Sequence, residues 1–125
     1  MTIRSFIANA NDNCSSALSV TLGIPTTSLD VSNYTNSGDN YGGACDFSCA
    51  SGQEDAWFSF VAPPSGLVNI SVDNSNLPGS GYDTEFGIFT DCTPACFQEY
   101  AWSNYLDGNG YNISGLTAGN TYYIV

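Results

Sequence analysis

The sequence predicts an all-β fold, an antiparallel β-sandwich or jelly roll of about eight short strands that is stapled by disulfide bonds. No stretch repeats apolar residues at helical spacing for three turns, and Gly, Pro, Asn and Ser interrupt every apolar run. Strand-like segments recur instead, with turn signals about every eight to twelve residues. Five cysteines in 125 residues, with no His to complete a mixed metal site, are typical of a secreted domain with disulfides.

Alternating apolar residues define the predicted strands. Segment 55–62 is the clearest, with Phe58 and Phe60 on one face and Trp57 and Val61 on the other. A Pro-Pro-Ser-Gly turn at 63–66 then leads into a second clear strand at 67–72. Six further strands are predicted at 17–22, 29–34, 84–88, 97–102, 111–116 and 121–125. The side chains expected to fill the core are Phe58, Phe60, Val68, Ile70, Val72, Phe86 and Ile88.

Composition argues against catalysis and against anionic ligands. Twelve acidic residues against a single Arg4 give a net charge of −11, which repels phosphate backbones and anionic lipid headgroups. Without His, no Ser has a base of suitable pKa to activate it. The carboxylate pairs Glu54-Asp55 and Asp83/Glu85 suit a glycosidase, but they lie at ordinary turn positions. We expect no enzyme, no nucleic-acid binding and, with no apolar run near ~20 residues, no membrane insertion.

The cysteine pairing is open on sequence alone. Five choices of a leftover cysteine times three pairings of the other four give fifteen arrangements. Two pairs are local, and Cα atoms four residues apart in a turn can reach bonding distance. We therefore expect Cys45–Cys49 and Cys92–Cys96 bonds, which leave Cys14 unpaired or in an intermolecular bond.

Two groups of loop residues are candidate binding sites. Aromatic rings in or beside loops stack on sugar faces and anchor interfaces, although they also fill cores: Tyr34, Tyr41, Tyr100, Trp102, Tyr105 and Tyr111. Oxygen-bearing side chains in loops suit calcium, which is the only cofactor that we consider: Asp12, Asp39, Asp83, Asp107 and Asn109. However, Asp-Gly and Asn-Gly dipeptides are also the commonest ones in hairpin turns. Both alternatives stay open for each group.

Five segments, in order along the chain, form a recognisable pattern: NDNCSSA at 11–17, DAWFSFVAP at 55–63, SGLV at 65–68, YDTEFGIF at 82–89 and LTAGNTYYI at 116–124. Together they resemble the β-sandwich modules of secreted and cell-surface proteins of Bacteroidota, which are similar to bacterial pre-peptidase C-terminal domains. The resemblance implies a jelly-roll-like sandwich over 11–125 and an extracellular or cell-surface location. It also implies a non-catalytic role in adhesion, carbohydrate contact or assembly.

Two departures from that family suggest assembly. Family members usually continue beyond the Tyr-Tyr-Ile strand, so one strand is expected to be missing, whereas residues 1–10 form an extra apolar arm. We expect a structural subunit whose copies join by strand addition into a filament or surface layer. The arm residues Ile3, Phe6 and Ile7 would occupy a neighbour's open edge at Tyr122, Tyr123, Ile124 and Val125. The alternative is a carbohydrate-binding or adhesive module of a larger secreted protein, with glycans as partners.

Overall fold

A computed structural model of the protein describes residues 11–24, 56–71, 86–92, 96–100 and 110–125, with the backbone alone for 96–100. These ranges contain one turn of 3-10 helix, Cys14–Ser16, and seven β-strands. The strands are β1 (Leu18–Ser19), β2 (Phe58–Val61), β3 (Val68–Ile70), β4 (Phe86–Phe89), β5 (Cys96–Tyr100), β6 (Tyr111–Ile113) and β7 (Thr121–Ile124). Within these ranges, no helix has the length and apolar character needed to cross a membrane.

The strands form two sheets, which confirms the predicted all-β sandwich. One sheet has five strands in the order β1-β2-β7-β4-β5, and the other is a two-stranded ribbon of β3 and β6. Every pair is antiparallel except β1 with β2, which is parallel. A parallel pair needs a long connection, and the chain between Ser19 and Phe58 supplies it. The strand predicted at 29–34 lies outside the described residues.

The main core lies between the two sheets. Residues that alternate inward from both sheets form one buried cluster: Phe60, Ala62, Val68, Phe86, Ile88, Ile113, Leu116 and Tyr122. Four of the predicted core residues, Phe60, Val68, Phe86 and Ile88, are confirmed as buried. Phe58 and Ile70 are only half-buried, because Phe58 lies beside the two-residue edge strand β1 and Ile70 ends β3. Val72 lies outside the described residues.

A second, smaller core covers the other face of the five-stranded sheet. Trp57 and Phe89 point away from the main core, yet Trp57 is only 2% exposed, because the N-terminal segment with Cys14 packs on them. The Asn11 carbonyl accepts a hydrogen bond from the Trp57 amide at 2.8 Å, and this bond holds the segment against β2. All four residues of β4 are therefore buried, where simple alternation predicts that every second residue is exposed.

The disulfide in this second core corrects the predicted pairing. Cys14 is bonded to Cys92, across 78 residues, with Cα atoms 5.5 Å apart. The predicted Cys92–Cys96 bond is therefore wrong, and so is the prediction of an unpaired or intermolecular Cys14. Cys96 lies in β5 opposite Phe89, whereas the chain after β4 brings Cys92 to the N-terminal segment. Cys45 and Cys49 lie outside the described residues, so their pairing stays a prediction.

The last strand is not a sheet edge. β7 pairs with β2 on one side and with β4 on the other, and Val125 exchanges two backbone hydrogen bonds with Gly87. The expected acceptor edge at Tyr122, Tyr123, Ile124 and Val125 is therefore wrong, since both sides of this strand already have partners. The arm residues Ile3, Phe6 and Ile7 lie outside the described residues.

Candidate functional site

One end of the sandwich is closed by two short connections that bond to each other. Ala62 and the loop before β7 exchange backbone hydrogen bonds, with Ala62 donating to the Asn120 carbonyl and Gly119 donating to the Ala62 carbonyl, each at 2.9 Å. The Tyr122 hydroxyl accepts a hydrogen bond from the Thr117 amide at 2.9 Å. The connections 62–67 and 114–120 each run between the large sheet and the ribbon, and these hydrogen bonds hold them in place. The opposite end is therefore the candidate site.

Gly66 holds the two connections of the closed end together. Its φ of +62° lies in the left-handed region, and a Cβ there would come within 2.5 Å of the Leu116 carbonyl oxygen. The Gly66 carbonyl in turn accepts the Leu116 amide at 3.2 Å. A residue with a side chain would meet both strain and a backbone clash, so the turn requires glycine.

Four strand ends meet at the opposite end, which we name the Phe86 rim: Ile70, Phe86, Tyr100 and Tyr111. Phe86 starts β4 opposite Tyr100 at the end of β5, and Ile70 ends β3 opposite Tyr111 at the start of β6. The rings of Phe86 and Tyr111 meet edge-on with centroids 5.5 Å apart, which ties the two sheets together at this end. β3 and β5 end at this rim, and β4 and β6 start there. The residues between them, 72–85 and 101–109, lie outside the described residues.

Two of the aromatic residues that the sequence singled out, Tyr100 and Tyr111, lie at the rim. Trp102 and Tyr105 belong to segment 101–109, and Tyr100 closes β5 just before it. Tyr111 is half-buried and packs on the core, so it is in part a core residue. The side chains of Trp102 and Tyr105, together with Tyr34 and Tyr41, lie outside the described residues.

The described residues bring no metal-binding cluster together. Within them, no group of three or more His, Cys, Asp or Glu side chains has the proximity that a metal ion needs. Asp12 is half-buried in the N-terminal segment, and Asp39, Asp83, Asp107 and Asn109 lie outside the described residues. The calcium site stays a prediction.

An exposed pair of asparagines on the β3–β6 ribbon was missed from sequence. Asn69 faces Asn112 in register, and the Asn69 Nδ2 donates a hydrogen bond of 3.1 Å to the Asn112 Oδ1. The tripeptide Asn-Ile-Ser occurs at 69–71 and again at 112–114, so the same pattern stands on both strands. That repeat is the signal that could have found the pair.

The fold and its stapled N-terminal segment define a disulfide-bonded β-sandwich module. A model of the family described as galactose binding domain-like, for domains associated with the type IX secretion system (T9SS), matches residues 10–125. The chain therefore belongs to this T9SS-associated galactose-binding domain-like family. Comparison with curated proteins and with solved structures finds no significant match. The family agrees with the resemblance to surface modules of Bacteroidota, while the similarity to pre-peptidase C-terminal domains stays a prediction.

Proposed function

We propose that this chain is a non-catalytic, carbohydrate-binding module of a larger secreted or cell-surface protein of Bacteroidota. The observation that carries the proposal is the match to the galactose-binding domain-like family over residues 10–125. Residues 11–125 would form the module, preceded by an N-terminal arm of residues 1–10. The chain's lack of His agrees with a binding role, because a neutral-pH proton carrier is missing.

The Phe86 rim is the proposed sugar site. Loops at one end of a rigid sandwich commonly carry binding residues, and here two connections start and finish around Phe86 and Tyr111. By sequence, these connections contain Trp102 and Tyr105, which would stack on a sugar ring, and Asp83 and Asp107, which would accept hydrogen bonds from sugar hydroxyls. The short connections of the closed end offer no comparable group of aromatic residues among the described positions.

Self-assembly by strand addition has less support than sugar binding. The edge that was expected to accept a neighbour's arm is an inner strand, paired on both sides. Strand addition requires a free sheet edge with unpaired amides and carbonyls, so β7 cannot accept a strand from a neighbouring copy.

The proposal is tested by measuring glycan binding with variants of the segment 101–109, which follows Tyr100 of the rim. The purified chain is titrated by calorimetry with galactose and with galacto-oligosaccharides, and the same titrations are repeated on Trp102→Ala and Tyr105→Ala. Each truncation should weaken binding by roughly five- to 150-fold, since removal of an aromatic ring that stacks on a flat ligand costs ~1 to 3 kcal/mol of binding free energy.

The matched control for these variants is Val61→Ala, which removes an apolar side chain that is 57% exposed at the end of β2, away from the rim and from the β3–β6 ribbon. It should bind as the unaltered chain does. Equal binding by the control, by Trp102→Ala and by Tyr105→Ala would overturn the rim end as the site. Absence of binding to every glycan offered by the folded, unaltered chain would overturn the carbohydrate-binding function itself.

A further inference from the structure

We infer that the outer face of the β3–β6 ribbon extends the sugar site, so that the module holds a stretch of an uncharged polysaccharide rather than a single terminal sugar. This ribbon face consists of Leu67, Asn69, Ser71, Gly110, Asn112 and Ser114. The inference rests on the proposed function, because it names the ligand class and a second contact surface for the same binding event.

The ribbon face follows from strand alternation. Val68 and Ile113 are paired in register and buried in the main core, so their neighbours Asn69 and Asn112 point to the opposite side. Ser71 and Ser114 continue this side at alternate positions, and all four polar side chains are exposed. The result is a polar strip laid over a close-packed apolar layer.

The face begins at the Phe86 rim. The strand that carries Asn112 starts at Tyr111, directly after Gly110, and the Tyr111 ring packs on Phe86. Four residue steps from 67 to 71 span ~13 Å, which exceeds the size of one sugar ring. A polysaccharide that is bound by one unit at the rim would therefore pass along the ribbon with its following units.

The amides on this face are held in place before any ligand arrives. The hydrogen bond between Asn69 and Asn112 fixes both side chains relative to the two strands. The Asn69 amide also occupies the place where a Cβ of residue 110 would stand, so a side chain at that position would displace the amide. Groups that are ordered in advance lose less entropy when they bind.

The chemistry of the face selects the ligand. Amides and hydroxyls donate to and accept from sugar hydroxyls, and the six residues of the ribbon face carry no charge. The chain has one Arg and a net charge of −11, so uronate or sulfate groups would be repelled rather than paired. The ribbon face also has no aromatic ring, so it strengthens the binding of a chain that is already anchored at the rim.

The simpler role of the asparagine pair is to stabilise the ribbon, because a cross-strand polar pair contributes to sheet stability by itself. The two roles differ in their dependence on ligand length. A purely structural pair affects folding and leaves the ratio of oligosaccharide to monosaccharide affinity unchanged. A pair that binds sugar controls that ratio.

The test is calorimetry with galactose, with neutral galacto-oligosaccharides up to the hexasaccharide, and with oligogalacturonates of equal length. The unaltered chain should bind the neutral hexasaccharide at least tenfold more tightly than galactose, since each added hydrogen bond contributes about two- to tenfold. The double variant Asn69→Val with Asn112→Val keeps strand-forming residues and should lose most of this gain while its affinity for galactose is unchanged. The variant Gly110→Ala should lose part of the gain by displacing the Asn69 amide.

A second double variant, Asn69→Thr with Asn112→Thr, keeps hydrogen-bonding groups in the same strands and should recover part of the gain. If the Val variant is folded and keeps the full preference for the hexasaccharide, the ribbon is not a contact surface, although the proposed function stands. Tighter binding of oligogalacturonates than of neutral chains also overturns the inference. If the unaltered chain binds galactose but gains nothing from added units, only the inference fails, whereas binding of no glycan removes the proposed function and the inference together.

Discussion

Phe86 and Tyr111 meet edge-on across the two sheets, with ring centroids 5.5 Å apart. Phe86 starts a strand of the large sheet, and Tyr111 starts a strand of the small ribbon. An edge-to-face contact of this kind contributes about 0.5 to 1.5 kcal/mol beyond simple burial. The pair fixes the distance between the two sheets at the rim.

Replacing Phe86 by Ala should therefore destabilise the protein strongly. The ring is 3% exposed, and removing a buried Phe typically costs ~3 to 5 kcal/mol of unfolding free energy. Urea denaturation monitored by circular dichroism measures this loss of unfolding free energy. The control Val61→Ala removes a side chain that is 57% exposed and should change stability by less than ~0.5 kcal/mol. Similar losses in both variants would contradict the packing at the rim.

The Cys14–Cys92 bond should be the main covalent support of the described fold. The loop that it closes, with a sequence separation of 78 residues, corresponds to ~4 kcal/mol in the chain-entropy account. The double variant Cys14→Ser with Cys92→Ser should lose an unfolding free energy of that order. Mass spectrometry of unreduced peptic fragments checks the pairing directly, and a fragment that joins Cys92 to Cys96 would contradict it.

Reduction of the Cys14–Cys92 bond should loosen the packing of the N-terminal segment on the large sheet. Trp57 is 2% exposed beneath the segment that contains Cys14, and the chain has two Trp residues in all. In a Trp102→Phe background, the fluorescence of Trp57 alone is observed. We expect its emission to shift to longer wavelength on reduction, while a Cys45→Ser variant with the 14–92 bond intact should keep the shorter wavelength. An unchanged spectrum after complete reduction would show that packing alone holds this segment in place.

Gly66 and Gly119 give a matched comparison of two glycines in the left-handed region. Gly66→Ala meets both the strained φ of +62° and the Leu116 carbonyl oxygen at 2.5 Å, so it should destabilise by more than ~2 kcal/mol. Gly119→Ala, at φ +81° with no atom within 4 Å of the added Cβ, should show the strain alone, ~1 to 2 kcal/mol. Thermal and chemical denaturation measure the difference. Equal losses would mean that the Gly66 turn is not in contact with Leu116.

Local pattern was sufficient for much of the fold and insufficient for its long-range pairing. The alternation of Phe60, Val68, Phe86 and Ile88 predicted the main core because each strand's period is independent of its neighbours. The burial of Trp57 and Phe89 was harder to predict, because it depends on the segment around Cys14, which packs on the sheet from far away in sequence. Sequence spacing also favoured local cysteine pairs, whereas the Cys14–Cys92 bond depends on the position of that same segment.

The candidate site was predictable in part for the same reason. Aromatic residues near 100–111 were evident from composition, and the structure adds that Tyr100 and Tyr111 stand at one rim with Phe86. The asparagine pair on the ribbon could not be derived from either strand alone, because only the register of β3 with β6 brings Asn69 to Asn112. Strand order likewise lies beyond local pattern, which is why β7 was misplaced at an edge.

The central position of β7 has a consequence for the order of folding. Strands β2 and β4 are not neighbours, and each hydrogen-bonds to residues 121–124 at the C-terminal side of the chain described here. Until those residues are available, the large sheet exists only as separate pieces, and the ladder then forms from partners far apart in sequence. Such high contact order slows folding, because loop-closure entropy is lost before the pairing is gained. A chain that still lacks this strand, such as one bound to the ribosome before residues 121–124 emerge, should therefore have an incomplete large sheet.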